Sequence, residues 1–382
     1  MNYLEKLLDG VEVEWKALGE VAELKRGKTI TAKNKIDGDI PVISGGQQPA
    51  YYNAKFNRKG ETITIAGSGA YAGHVLYWNK PIFVSDAFSV KPNISILKTK
   101  YVFYFLMKNQ NWIYALKKGV GVPHVYPKDL AKLIIPIPPL AIQQKIVSIL
   151  DTFTELTAEL TAELTARKKQ YEYYREQLLT FEEGEVEWKT LGEIGDIKMC
   201  KRILKKDTKA VGDVPFYKIG TFGKEADAYI SKELYDLYRT KYSYPKKGDV
   251  LISASGTIGR TVIYNGEPAY FQDSNIIWID NDESIVTNKY LWHFYKIAKW
   301  FVSEGGTIKR LYNDNVKKTK IPVPYSSNKI KSKEEQARIV SILDKFDTLT
   351  SSISEGLPRE IELREKQYEY YRDLLLSFPK DK

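Results

Sequence analysis

A chain of 382 residues, 43% of them hydrophobic, has room for two or three domains with cores of their own. Its single cysteine, Cys200, rules out an intramolecular disulfide, and three histidines in no CxxC or HExxH spacing leave no metal site to expect. The formal net charge of +10 points to an anionic partner, with nucleic acid first. No apolar run approaches the roughly 18 residues of a membrane span, and MNYLEKLLDG does not read as a secretory signal, so a cytoplasmic protein is expected.

In chain order the first landmark is EVEWKALGE at residues 12–20, which returns as EVEWKTLGE at 185–193, an offset of 173. Asp39-Ile40-Pro41 returns as Asp213-Val214-Pro215, Ser68-Gly69 as Ser255-Gly256, Pro81 as Pro268, Asp86 as Asp273 and Tyr126 as Tyr312. IPIP at 135–138 returns as IPVP at 321–324, IVSILD at 146–151 recurs at 339–344, and QYEYYREQLLTF at 170–181 returns as QYEYYRDLLLSF at 367–378. The order never changes while the offset drifts to 197, so the chain is an internal duplication with loop insertions, and the centres of its halves have diverged most.

Each half opens with β-branched, glycine-bounded runs such as 62–65 and 250–252, which predict strands. Residues 100–118 and 288–301 hold no Gly or Pro and predict helices packed on those strands. A long helix then follows in each half. Ile142, Ile146, Ile149, Phe153, Leu156 and Leu160 step by 4, 3, 4, 3, 4, and after a four-residue stutter in the tandem TAEL units the seam resumes at Tyr171, Tyr174, Leu178 and Phe181. The second helix is expected to start at a capping box, Ser332 to Glu335, and carries Ile339, Ile342, Phe346, Leu349 and Ile353. Gly356-Leu357-Pro358 should kink or break it before Tyr368, Tyr371, Leu375 and Phe378 resume the seam. The fold class is therefore α+β: two similar mixed α/β domains separated by a long antiparallel two-helix coiled coil, with a pseudo-two-fold internal repeat. The expected boundaries are 1–138, 139–182, 183–328 and 329–382, giving a rod with a globular domain at each end.

Catalytic motifs do not emerge. Gly27-Lys28-Thr29 lacks the first glycine of a phosphate loop, which would fall at Ala22; Ser68 and Ser255 are not in a GxSxG elbow; and residues 137–140 (IPPL) lack the polar first residue of an amino-methyltransferase motif. A binder without cofactor is expected.

Two globular halves, each ending in a long helix marked by IVSILD and QYEYYR, with TAEL units in one helix and GLP in the other, resemble the specificity subunits of type I restriction-modification systems. The resemblance covers essentially the whole chain. It implies two target-recognition domains, each reading one part of a bipartite, asymmetric double-stranded DNA site, and helices that set the spacer and dock two modification (methyltransferase) subunits, to which restriction subunits are added. It also implies no catalysis by this chain. The alternative is an orphan DNA-binding or coiled-coil scaffold protein with no active restriction partner.

DNA affinity comes from phosphate contacts and specificity from base edges, so basic residues beside turns, with the polar and aromatic residues clustered near them, are the candidate contacts. In the first domain these are Lys25, Arg26, Lys28 and Lys33; Ser68, Tyr71 and His74; and Lys117, Lys118, His124 and Tyr126. In the second they are Lys198, Lys201, Arg202, Lys205 and Lys206; Ser255, Thr257 and Arg260; and Lys309, Arg310 and Tyr312. His293 aligns with Tyr104 inside a helix and reads as core or surface rather than as a DNA contact.

Overall fold

A computed structural model describes residues 3–34, 36–182, 186–301 and 310–379. The chain divides into two compact units, Met1–Ala162 with Arg359–Lys382, and Glu163–Pro358.

The first unit runs α1 (Tyr3–Leu8), β1 (Glu14–Ala17), α2 (Leu18–Val21), β2 (Ala22–Arg26), β3 (Ile40–Ile43), β4 (Tyr51–Asn53), β5 (Glu61–Ala66), β6 (Val75–Asn79), β7 (Phe83–Val84) and β8 (Ala87–Pro92). It continues with α3 (Thr99–Lys108), α4 (Gln110–Ala115), α5 (Pro127–Leu130), β9 (Ile134–Ile137) and the start of α6 (Leu140–Leu179). Four strands form an antiparallel sheet in the order β2-β8-β5-β6; a second sheet has the order β4-β3-β7, with β3 and β7 parallel; and β1 pairs with β9. The inner strands β5 and β8 are buried along nearly their whole length although their sequences alternate, with Thr62, Thr64 and Ser89 buried on the face opposite Ile63, Ile65, Phe88 and Val90. Ile63, Ile65, Phe88 and Val90 meet Tyr101, Val102 and Leu106 of α3 in one core.

The second unit contains the end of α6, then β10 (Val186–Thr190), α7 (Leu191–Ile194), β11 (Gly195–Lys198), β12 (Val214–Tyr217), β13 (Tyr229–Ile230), α8 (Lys232–Lys241), β14 (Val250–Ser253), β15 (Thr261–Ile263), β16 (Tyr270–Phe271) and β17 (Ile276–Asn281). α9 (Asn288–Tyr295), α10 (Asn313–Lys318), β18 (Lys320–Pro324) and α11 (Lys329–Ser351) follow, and α12 (Leu357–Leu375) lies almost wholly in the first unit. Its sheets are β11-β17-β14-β15, β13-β12-β16 with β12 and β16 parallel, and β10-β18. Counted from the start of each half, this is the strand order of the first unit, pair for pair. The diverged centres therefore share one topology. The repeat offset rises from 174 at Asp39 and Asp213 to 187 at Ser68 and Ser255, and α8 lies in that interval with no counterpart in the first unit.

Several local expectations need correction. Residues 100–118 do not form one helix: α3 stops at Lys108, where Asn109 leaves helical geometry and its Nδ2 donates to Phe105 O at 2.7 Å, the local competition that asparagine offers a helix. The helix expected over 288–301 ends at Tyr295, and the next residue, Lys296, donates to the Asp347 carboxylate at 2.8 Å, a tertiary bond that sequence periodicity does not carry. Ser332 does not cap. α11 begins earlier, with Asn328 Oδ1 accepting from Lys331 N–H at 3.1 Å, while Ser332 is buried inside the helix and accepts from Gln336 Nε2 at 3.2 Å. A capping box does form at Thr190 and Glu193, where Thr190 N–H donates to the Glu193 carboxylate at 2.6 Å. The Thr190 hydroxyl, which donates to the same carboxylate at 2.6 Å, and then the backbone bond hold the carboxyl below its usual range.

The break expected at Gly356-Leu357-Pro358 separates α11 from α12. Gly356 has φ +83, and a Cβ there would meet Thr348 O at 2.4 Å, so the chain turns against the end of α11 where only glycine fits. Ile353, expected in the seam, lies in this break at 85% exposure and packs no seam, because the turn takes it off the helix.

Within each unit the helix segments run antiparallel. In the first, the start of α6 lies beside the end of α12: Phe153 stacks on Tyr371 at 5.1 Å, Tyr368 lies 6.3 Å from Tyr104, and Ile146, Leu375 and Phe378 are buried in the common core with Ile149 against it. In the second, the end of α6 lies beside α11: Tyr171 and Tyr174 stack on Phe346 at 6.0 and 5.4 Å, and Ile339 is buried with Leu178 against it. Ile342, Leu349 and Leu160 are half-buried, and Leu156 is exposed near the stutter. Leu150, Leu179 and Leu343, outside the 3-4 seam, are buried as deeply as the seam residues Ile146, Ile339 and Leu375 and join the same two cores.

Candidate nucleic-acid interface

Two loops meet at equivalent places in the two units. After β5, Ser68 forms a β-bridge with His124; after β14, Ser255 forms one with Arg310, the residue at the same point of the repeat. Asp86 supports the first junction by accepting from Ser68 Oγ. In the second, Ser255 Oγ donates to Asn275 Oδ1 at 2.8 Å and Arg310 Nη2 to Ser274 O at 2.9 Å.

Around the first junction the three candidate clusters converge. The Arg26 guanidinium lies 5.4 Å from the Tyr126 ring, His124 stacks on Tyr126 at 6.0 Å, and Lys117 Nζ donates to Ala70 O at 3.0 Å. Lys25, Lys28, Lys33 and Tyr71 are exposed. Lys118 is exposed as well, but its ammonium is 2.7 Å from Asp129, and that bond holds the Asp129 carboxyl below its usual range. His74 is withdrawn from the face: half-buried, with Nδ1 3.1 Å from Tyr114 OH, and burial lowers its pKa toward the neutral form.

In the second unit Lys201, Lys205, Lys206, Thr257 and Tyr312 are exposed, while Lys198 is half-buried and 3.9 Å from Asp196. Arg202 pairs with Asp273 at 2.9 Å. Arg260 is turned inward to Phe222 O at 3.1 Å, and Ser255 is buried, so neither presents its polar group to a ligand as the sequence suggested. Lys309 lies outside the described residues.

Three residue groups escaped the sequence reading. Arg58, half-desolvated so that its guanidinium pKa is lowered, bonds Ser89 Oγ at 2.8 Å and the carbonyls of Asn57, Lys25 and Arg26, holding the end of β2 from which Arg26 projects. Gln143 and Gln336 are fully buried at equivalent positions of α6 and α11. Lys98 N–H donates to Gln143 Oε1 at 2.8 Å and Gln143 Nε2 to Ile96 O at 2.7 Å; Thr287 N–H donates to Gln336 Oε1 at 2.9 Å and Gln336 Nε2 to Ile285 O at 2.8 Å. Asp151 and Asp344 add a second joint. Asp151 accepts from Tyr104 OH at 2.6 Å and Lys100 Nζ at 2.7 Å; Asp344 meets His293 Nε2 at 2.8 Å and Lys289 Nζ at 3.2 Å. The signal was present, since both aspartates end the repeated IVSILD.

Two copies of one mixed fold, each with a basic face and each bonded to a long helix through the same glutamine and aspartate, define a duplicated recognition protein rather than an enzyme built around one centre. Residues 10–167 and 183–363 match the type I restriction modification DNA specificity domain. The chain belongs to this family, as a specificity subunit without catalysis of its own. It is 51% identical to a protein of Haemophilus influenzae named as a type I restriction enzyme specificity subunit, over 99% of this chain and 98% of that one. It is 36% identical to the EcoR124I/EcoR124II specificity subunit of Escherichia coli, over 100% and 98%. The crystal structure of the type I S subunit from M. genitalium shares the fold at a TM-score of 0.62 and 19% identity, covering 100% of both chains. No helix among the described residues is long and apolar enough to cross a membrane.

Proposed function

We propose that each domain reads one part of a bipartite, asymmetric site in double-stranded DNA, and that the repeated helices set the spacer and dock two modification subunits, to which restriction subunits are added. The recognition domains would span 1–138 and 183–328, with the helices at 139–182 and 329–382, and the assembly would work in the cytoplasm. The observation that carries this reading is the shared strand order around unlike junctions: Ser68 with His124 in one unit, Ser255 with Arg310 in the other. A common scaffold with different side chains at the same loop position suits two domains that read different bases. Arg26, Lys28, Lys33, Lys201, Lys205 and Lys206 are the cations best placed for phosphate, and Tyr126 and Tyr312 mark the two junctions. Co-expression with the modification subunits and mapping of the methylated bases is the test. It should return two short, different motifs separated by unread base pairs; one uninterrupted motif, or no methylation by the assembled complex, would reject the assignment.

A further inference from the structure

Residues 118–124, KGVGVPH, form a small finger beside the first junction. Its base is closed by two backbone bonds, Lys118 N–H to His124 O at 2.9 Å and His124 N–H to Lys118 O at 2.8 Å, so five residues project from a fixed neck. The neck is held to the loop after β5 by Gly69 N–H donating to Pro123 O at 3.0 Å and by Lys117 Nζ donating to Ala70 O. Gly119 and Gly121 take φ of +112 and +92, conformations open to glycine, and between and after them stand Val120 and Val122 at 107% and 57% exposure. An isopropyl group held fully in water at the tip of a closed loop adds nothing to a core. Its neighbours are Lys117, Lys118, His124 and Tyr126, members of the candidate DNA face.

Valine offers no hydrogen-bond donor or acceptor, so it cannot read most of the major-groove pattern; the base-edge feature it matches is the C5 methyl group of thymine. We infer that the 119–123 finger enters the major groove of the half-site read by the first domain, where Val120 recognises a thymine through its C5 methyl. This rests on the DNA-reading assignment above.

The test uses the complex of this chain with its modification subunits, after the wild-type site has been mapped. Duplexes in which each thymine of the site is replaced in turn by deoxyuridine remove one methyl group at a time. Wild type should lose about fourfold in affinity at one thymine of one half-site, the worth of one buried methyl-sized group. Val120→Ala, which removes two of the side chain's three carbons, should discriminate the thymine duplex from the uracil duplex less than wild type does, with an unchanged slope of log K against log salt, since an apolar contact releases no counterion. Its unfolding midpoint should match wild type because the side chain is exposed. A half-site without thymine, indifference of wild type to every replacement, or Val120→Ala retaining the wild-type sensitivity would overturn the inference. If the wild-type complex failed to prefer its mapped site over random duplex, the DNA-reading assignment itself would fall.

Discussion

His293 and Tyr104 stand at the same point of the two repeats and bond equivalent aspartates, yet only the histidine is a side chain whose unperturbed pKa lies near neutrality. His293 is completely buried, and burial drives its pKa down to about 4, with the Asp344 bond opposing and Lys296 assisting the fall. Tyr171, Asp347 and Lys289 also face the cluster. An unfolded histidine titrates near 6.5, so as pH falls the unfolded chain takes up a proton that the folded one refuses. The contribution is fully present above about pH 6.5 and is lost progressively toward pH 4, with a ceiling of about 3 kcal/mol. His293→Tyr, which copies the other repeat, should flatten the fall in urea midpoint between pH 7 and pH 5; the same fall in both proteins would assign the effect to other groups. At the candidate DNA face, Arg26 projects from a strand end held by Arg58, so Arg26→Ala should weaken DNA binding and make the log K against log salt slope shallower by about one if the residue holds phosphate. Unchanged binding would remove it from the interface. Arg310 is a poorer probe, because its Nη2 also supports Ser274 O and truncation would loosen the loop itself.

The elements show where reading from sequence works and where it stops. The long helices and the break at Gly356 were legible because each depends on residues within a few turns of one another, and the repeat because its two copies keep like residues in one order. The buried roles of Gln143 and Gln336 were not, since the backbone groups they bond lie 45 to 51 residues away; the stop at Asn109 and the cap at Asn328 rest on local bonds, four and three residues off, that compete with helical periodicity without altering it. The candidate DNA face suffered the same limit: Arg202 looks like a surface cation until Asp273, 71 residues away, is found against it. The α6 tandem units are a different case. Thr157 and Thr161 donate to Phe153 O and Thr157 O at 2.9 and 2.8 Å, one turn back each time, so the TAEL segment is a regular helical insert. Deleting residues 161–164 removes about 6 Å and 400° of helix, a net rotation of about 40° that is close to the twist of one base pair. The spacer should shorten by about one base pair with both half-sites unchanged, and methylation mapping that returned the original spacer would sink the ruler idea.

Across the whole molecule, duplication predicts that the halves are exchangeable at defined seams. β1 and β9 pair from Glu14 with Ile137 to Ala17 with Ile134, and β10 and β18 pair from Val186 with Pro324 to Thr190 with Lys320, so each domain enters and leaves through one two-stranded ribbon. The residues between the paired strands carry the sheets and the candidate DNA face. The helix after each ribbon is bonded back to its domain mainly through backbone groups, those of Ile96 and Lys98 for Gln143, and of Ile285 and Thr287 for Gln336. Backbone partners are indifferent to side-chain identity, and the aspartate joint tolerates either Tyr104 or His293. Residues 14–137 placed in exchange for 186–324 should therefore fold on the second helix as they do on the first. The complex of this variant should methylate a site whose two parts contain the same bases, those of the first domain, and should ignore the second wild-type motif. Retention of that motif would locate its reading outside 186–324, whereas an assembled complex that methylates nothing would show that the two domains are not equivalent in their docking despite their common strand order.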